Sequence, residues 1–294
     1  MVNYFNFNEK LILGTAQFAS NYGVANKNRY GISKKKIAEI LNFCKKQKIL
    51  FIETAHNYLN AEKKLGNLEI NKFNIITKLP KLNLRLGKNK LYKQINSFFL
   101  NSYNNLSKKN IYGLMLHSGE QLLSNKGKLI YNALLKIKED NNIKSIGISV
   151  HNPNCLAKII KRYKLDIVQL PFNILDNRLY DLKIISLLKK NNIKIHCRSV
   201  FLQGLLLSRY FNVSSYLKKY LRNFFYDTGD LLDNKLKLCL RHVLSHKEID
   251  KFVIGIDNID QLMHICKIMK NITPNRCNKY KINNIKVIDP IKWT

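Results

Sequence analysis

Four side chains of this sequence have the types and order needed to reduce a carbonyl with hydride: Glu53, Tyr58, Lys78 and His117. A carbonyl that accepts hydride at carbon becomes an alkoxide and needs a proton. A tyrosine hydroxyl can give one, but a free phenol titrates near pH ~10, poorly matched to neutral conditions. A nearby ammonium favours the phenolate and lowers that pKa. A carboxylate would hold the lysine in place and charged, and a histidine can orient the carbonyl oxygen and stabilise charge growing there. Lys78 lies inside the apolar run NIITKL, where an unpaired ammonium would be costly, so it should have a partner. Taken singly, Tyr58 reads as a packing tyrosine, His117 as a core histidine and Glu53 as an ordinary strand-end carboxylate.

Such a group works only if the chain folds the four together. Short apolar runs alternate with longer amphipathic ones. Strands are predicted at Leu11–Thr15, Leu50–Ala55, Asn74–Leu79, Ile111–His117, Ser145–Ser149, Asp166–Pro171, Lys194–Ser199 and Lys251–Ile256. Helical patterns fall at Ser33–Gln47, Lys88–Leu106, Gly127–Asn141, Pro153–Arg162, Tyr180–Lys190, Leu231–His246 and Ile259–Met269, with Ser33 a candidate N-cap. Apolar strands alternating with helices predict a parallel sheet covered by helices. Eight such units predict a single-domain (β/α)8 TIM barrel over residues 1–294. An open doubly wound sheet would want a GxGxxG turn after the first strand, and LILGTAQFASNYG has none. A barrel places its chemistry at the C-terminal strand ends, so Glu53, Lys78, His117, Ser149, Gln169 and Arg198 become the residues to inspect. The Tyr/Phe-rich stretch 207–230 reads as a loop insertion over that face.

Composition narrows the classes. Hydrophobic residues make up 46% of the 294, enough for a sizeable core. No apolar run approaches the roughly 18 residues of a membrane span. The opening MVNYFNFNEKLILG lacks the features of a signal peptide, so a soluble cytoplasmic protein is expected. The six cysteines form no close pair, which argues against a zinc knuckle or a redox CxxC. The net charge of +32 comes from lysines spread along the whole chain together with Asn and Ile. That pattern reads as compositional bias; it predicts no specific nucleic-acid partner, but a positive field that attracts anionic ligands. His242 and His246 are one helical turn apart without a metalloprotease glutamate, so no metal is expected. His56, His151, His196 and His264 belong to no recognisable constellation.

The sequence resembles the aldo-keto reductase superfamily. The resemblance is carried by LGTAQ (Leu13–Gln17), ETAHNY and the Glu62 and Leu65–Gly66 that follow it, ITKLP (Ile76–Pro80), LMLHS (Leu114–Ser118), IGIS (Ile146–Ser149), VQLPFNILD (Val168–Asp176) and VIG with the later Gln261–Leu262. These pieces keep the family order and cover nearly the whole chain. RSVFLQGLLL (Arg198–Leu207) is similar to a bacterial branch associated with surface-polysaccharide or sugar metabolism. The resemblance implies a (β/α)8 fold and nicotinamide-dependent reduction of an aldehyde or ketone, with NADP(H) or NAD(H) as cofactor. It implies Tyr58 as general acid, Lys78 as the partner that lowers its pKa, His117 as the orienting residue and Glu53 as the anchor of the lysine.

The same resemblance places Gly14, Thr15, Ser149, Gln169, Arg198 and Ser199 at the nicotinamide and ribose, Gln169 on the carboxamide, and Gly255, Asp257 and Gln261 at the adenosine end. Asp257, Asp260 and Gln261 stand where NADPH recognition normally adds Arg or Lys, which makes NADH a serious candidate. Arg198 replaces a stacking aromatic, and its planar guanidinium can also stack. Glu53 replaces an aspartate, Leu59 a glycine and Ala61 a serine; a lost glycine predicts a changed backbone path in that turn. These departures motivate a second reading, a cofactor-binding barrel of weak activity that serves as a regulatory or partner-binding subunit. The substrate stays open between a sugar, a nucleotide sugar and a small aldehyde, and nothing in the sequence sets an oligomeric state.

Overall fold

A computed structural model describes residues 7–19, 31–107, 111–181 and 183–293. Part of the stretch behind the reading of the N-terminus, 1–6, lies outside the described residues. Eight parallel strands close into a barrel in chain order. They are β1 (Leu11–Gly14), β2 (Phe51–Glu53), β3 (Asn74–Leu79), β4 (Ile111–Leu116), β5 (Ser145–Ser149), β6 (Ile167–Pro171), β7 (Lys194–Arg198) and β8 (Lys251–Gly255), with β8 pairing back onto β1. Around and between them run helices α1 (Ala16–Ala19), α2 (Lys34–Lys46), α3 (Ala61–Gly66), α4 (Lys88–Asn105), α5 (Gly127–Asp140), α6 (Leu156–Arg162), α7 (Arg178–Asp181), α8 (Ile184–Lys190), α9 (Ser215–Thr228), α10 (Leu232–Leu244), α11 (Ile259–Lys270) and α12 (Ile285–Ile288). The predicted single-domain barrel is therefore the fold observed.

Each outer helix follows its apolar period. α2 buries Ile37, Ile40, Leu41 and Cys44, and its N-cap Ser33 accepts from the Lys36 amide. Burying each aliphatic side chain contributes about 1.5–3 kcal/mol, which fixes the helix to the sheet. The predicted ends shift where the backbone imposes it. The helix expected over 180–190 divides into α7 and α8 at Lys183, whose φ is +53°. The one expected from Pro153 opens as a 3-10 turn, Pro153–Cys155, capped by Asn152, before α6 begins.

The barrel interior holds Ile12, Ile76, Met115 and Ile167, with Phe51, Tyr112 and Val253 packed against them. The lower opening is covered by Phe51 edge-on to Tyr112, with the Lys251 and Lys194 ammonium groups over the two rings. A second apolar cluster lies apart from the strand-and-helix core. It joins Ile174 and Leu175 after β6, Leu202–Leu206 after β7, Leu217, Leu221, Phe224 and Phe225 of α9, Cys239 of α10, and Tyr280, Val287 and Ile288 near the C-terminus. The stretch 207–230 thus carries an amphipathic helix, α9, with its own packing partners. Lys235 of α10, 1% exposed, ties that stretch down by donating to the Ser208 carbonyl at 2.8 Å and to Asp230 at 3.0 Å.

Candidate active site

Side chains alternate along a strand, so the residue two places beyond an inward-facing one also faces the barrel axis. Phe51, Ile76, Met115 and Ile167 form the apolar floor, and two places nearer the C-terminal mouth stand Glu53, Lys78, His117 and Gln169. The alternation thus sets these four residues in one layer. Lys78 Nζ donates to Glu53 Oε1 at 2.5 Å and to Gln169 Oε1 at 3.3 Å, and Gln169 Nε2 donates to the other Glu53 oxygen. All three are buried, Lys78 at 1% exposed and Glu53 at 3%. Burial alone would lower the lysine pKa; Glu53 first and Tyr58 second oppose it, and the net shift is upward. The ammonium keeps its charge at neutral pH.

Local backbone bonds carry Tyr58 over this layer. Thr54 and His56 continue the pairing of β2 with β3 through amide bonds to the Ile76 and Lys78 carbonyls. The chain then turns back: the Tyr58 amide bonds the Ala55 carbonyl, and the Tyr58 carbonyl accepts from Ala61 at the start of α3. Lys78 Nζ lies 5.4 Å from the centre of the Tyr58 ring, and the phenol helps to hold the lysine pKa up. Two residues of the sequence motif anchor α3. Buried Glu62 accepts from Thr77 Oγ1 at 2.6 Å, and Gly66 lets α3 approach α4 so closely that a Cβ would stand 2.1 Å from the Asn105 carbonyl oxygen. Leu59 has φ +45° and is 70% exposed. It holds the left-handed conformation that glycine favours, at a cost of about 1–2 kcal/mol. The substitution therefore appears here as strain borne by a leucine.

His117 extends the β4 pairing through its amide bond to the Leu79 carbonyl, and its ring lies edge-on to Tyr58 with centroids 6.2 Å apart. Burial, followed by the charges of Lys78 and Arg198, holds its pKa down to about 3, so the ring is neutral.

A cavity of about 550 Å³ opens over this layer. Gly14, Thr15, Glu53, Tyr58, Arg198, Ser199, Gly255, Asp257 and Gln261 all stand in its wall. Lys78, His117, Ser149 and Gln169 lie outside that lining. Gln169, expected on a carboxamide, instead has its side chain committed to Glu53 and Lys78. Asp257 and Gln261 bond one another at the start of α11, where Asn258 caps the helix by accepting from the Gln261 amide. Thr15 Oγ1, Ser149 Oγ and Asp257 Oδ1 are buried without a hydrogen-bond partner among the described residues, and two of the three belong to wall residues. Such atoms are normally satisfied, and a polar ligand lying along the wall would satisfy them.

No sequence pattern points to His151 or to Leu232 and Leu236, whereas the motif Arg198–Leu207 runs along the wall. His151 Nδ1 meets an Arg198 guanidinium nitrogen at 2.9 Å. Phe201, Gln203, Gly204 and Leu207, with Leu232 and Leu236 of α10, complete the wall. Backbone φ is positive at Ser199, Leu202, Gln203 and Gly204, so this wall is made by a tightly coiled segment. No pattern period reports such a turn. Among the described residues no cluster of three or more His, Cys, Asp or Glu side chains could hold a metal ion, and no helix is long and apolar enough to cross a membrane.

Solved structures with the same barrel include the aldo-keto reductase AKR11C1 of Bacillus halodurans in its holo form, 19% identical, covering 92% of this chain and 90% of that one with a TM-score of 0.69. PA4992 of Pseudomonas aeruginosa is 15% identical over 89% of each chain, with a TM-score of 0.65. The thermostable aldo-keto reductase Tm1743, solved with the inhibitor epalrestat, is 17% identical over 92% of this chain and 93% of its own, with a TM-score of 0.63. No curated protein matches the sequence. At these identities the structural likeness speaks for the fold alone. The sequence itself goes further, because residues 10–285 match the sequence pattern of the Aldo/keto reductase family from before β1 to α12. Barrel, chain order and sequence pattern agree over nearly the full length, and the chain belongs to the aldo/keto reductase family.

Proposed function

We propose that this protein, an oxidoreductase of carbonyl compounds by family, reduces an aldehyde or ketone with NADH, and that Tyr58 gives the proton. The observation that carries the reading is the buried Lys78 ammonium, fixed between Glu53 and the Tyr58 side chain. A cation held against a phenol favours the phenolate, so the hydroxyl becomes a better acid at neutral pH. His117, neutral beside Tyr58, is the group to donate to the carbonyl oxygen and to the charge that grows on it. Gly14, Thr15, Ser199, Gly255, Asp257 and Gln261 would hold the dinucleotide along the wall, with Ser149 reaching it from β5. When bound, the nicotinamide supplies the hydride.

The choice of NADH rests on charge. Asp257 and Asp260 both stand in the cavity wall beside the start of α11. Two carboxylates repel a 2′-phosphate. Lys267, the nearest candidate to offset them in sequence, lines a neighbouring groove with Lys237 and Arg241 instead. The reading as a weakly active subunit drew on Glu53 and Leu59. Glu53 reaches Lys78 at 2.5 Å, and Leu59 takes the positive φ that a glycine would, which supports the reading as an enzyme. The coiled segment after β7, together with α9, is proposed as the cover of the active face.

Tyr58→Phe provides the test. The variant should bind NADH with the affinity of the parent, as read by quenching of protein fluorescence, while loss of nicotinamide absorbance with an aldehyde panel falls at least a hundredfold. Full turnover in the variant would remove Tyr58 from the chemistry.

A further inference from the structure

Arg198 is an anomaly in the cavity wall. Its guanidinium is half-buried, yet it pairs with no carboxylate among the described residues. Its partners are uncharged: the Val150 carbonyl at 3.3 Å, the Ser199 hydroxyl at 3.3 Å and His151 Nδ1 at 2.9 Å. Guanidinium carries five N–H donors and accepts nothing; with both Nη2 hydrogens and one on Nη1 engaged, those of Nε and Nη1 remain for another acceptor. A half-buried cation without a counter-charge attracts one, and charge-assisted N–H bonds from a guanidinium suit a carboxylate or phosphate oxygen.

Its direction narrows the ligand. Arg198 belongs to β7 but reaches back across β6 to the residues that follow β5. Its contacts thus lie on the β5 side of the cavity. His117 responds to the Arg198 charge, and the His117 ring is 6.2 Å from that of Tyr58. Arg198 and Tyr58 line the same cavity, so the guanidinium faces the space in which the substrate carbonyl would lie. Because guanidinium only donates, His151 must accept at Nδ1, so the neutral ring carries its proton on Nε2. Glu120 and Asp289 act electrostatically on His151, and Glu120 accepts from its backbone amide, but neither pairs with Arg198.

We propose that Arg198, braced by His151, receives an oxyanion of the substrate itself, so that the preferred substrate is an aldehyde or ketone bearing a carboxylate or phosphate a few bonds from the carbonyl. The proposal rests on the reductase reading above.

The test compares succinic semialdehyde with butanal, and glyceraldehyde 3-phosphate with glyceraldehyde, for the parent and for Arg198→Gln and Arg198→Lys. The readout is the ratio of kcat/KM for the anionic over the neutral member of each pair, at 0.05 and 0.5 M salt. A charge-assisted contact is expected to give the parent a ratio of about tenfold or more. That ratio should survive high salt, which screens the diffuse field of a +32 chain but not a local contact. It should fall to near one in Arg198→Gln and lie between in Arg198→Lys. The pair that shows the larger ratio distinguishes carboxylate from phosphate. Calorimetric binding of succinate to the NADH-loaded protein, lost in Arg198→Gln, reports the site without turnover. If the parent reduces neutral and anionic members equally, the proposal is overturned. If Arg198→Gln lowers both members equally and weakens NADH binding, Arg198 serves the cofactor and the proposal is again overturned. If no aldehyde is reduced, succinate binding that depends on Arg198 upholds the anion site and refutes the reductase reading instead; absence of both overturns the proposal as well.

Discussion

Replacing Glu53 by glutamine removes the counter-ion of Lys78 while keeping size and hydrogen-bonding capacity. Both side chains are nearly water-free, and leaving one charge of a buried pair without its partner costs about 3–5 kcal/mol. A 294-residue chain has an unfolding entropy of about 0.6 kcal/mol/K, so Tm should fall by about 5–8 °C. The pH dependence separates electrostatics from packing. In the parent the Lys78 pKa is raised above 10.5, so its contribution is fully present below that pH and is lost only as pH rises through the folded value. In the variant the burial that lowers this pKa loses its main opponent. The folded state then resists protonation that the unfolded chain accepts, and the deficit is largest near neutrality and shrinks as pH approaches 10.5. Urea denaturation of parent and variant at pH 7 and pH 9.5 measures both effects. Equal midpoints at pH 7, or a gap that does not narrow at pH 9.5, would refute the argument that a charge pair organises this layer.

Three further outcomes are expected. Leu59→Gly relieves a left-handed leucine that is mostly solvent-exposed; after the added entropy of glycine in the unfolded chain it should stabilise by up to about 1 kcal/mol, and a destabilised variant would deny the strain. His196, His242 and His246 are buried with pKa values held down to about 3, 4 and 3 by burial, so stability present above pH 6.5 should be lost as pH falls below it. At pH 5.5 each costs about 1.4 kcal/mol, and with His117, held down to about 3 in the same way, about 5.5 together, which a shift in urea midpoint between pH 7.5 and 5.5 would show and His246→Phe should lessen by about a quarter. Asp260→Lys exchanges a wall carboxylate for an ammonium and should improve NADPH binding over NADH several-fold in paired titrations; an unchanged ratio removes Asp260 from cofactor choice.

The barrel was legible because its signal is repetitive. Asn74–Leu79 and Ser145–Ser149 match their predicted ends, and the other strands differ only at the margins, where the mouth loops keep single pairing bonds such as His56 to Lys78. The inward layer was legible in the same way, since alternation from Phe51, Ile76, Met115 and Ile167 leads to Glu53, Lys78, His117 and Gln169. Periodicity does not say which of those side chains meet, so Gln169 was expected on a ligand and instead completes the Glu53–Lys78 ring. The bond from Arg198 to His151 joins residues 47 positions apart across β6, and no local pattern encodes it. The helix within 207–230 has ordinary amphipathic spacing, but its partners near Tyr280 and Val287 lie far along the chain, and only packing shows that it is an ordered element with a core.

That separate apolar cluster divides the labour of the molecule. The buried Glu53–Lys78 pair sits in the strands, where its position is dictated by a closed ladder of amide bonds. Part of the cavity wall, Phe201, Gln203, Gly204 and Leu207, belongs to a segment that packs into this second cluster, which is fastened by Lys235 and by residues near the C-terminus. Substitutions in that segment can therefore reshape the wall without disturbing the buried pair beneath.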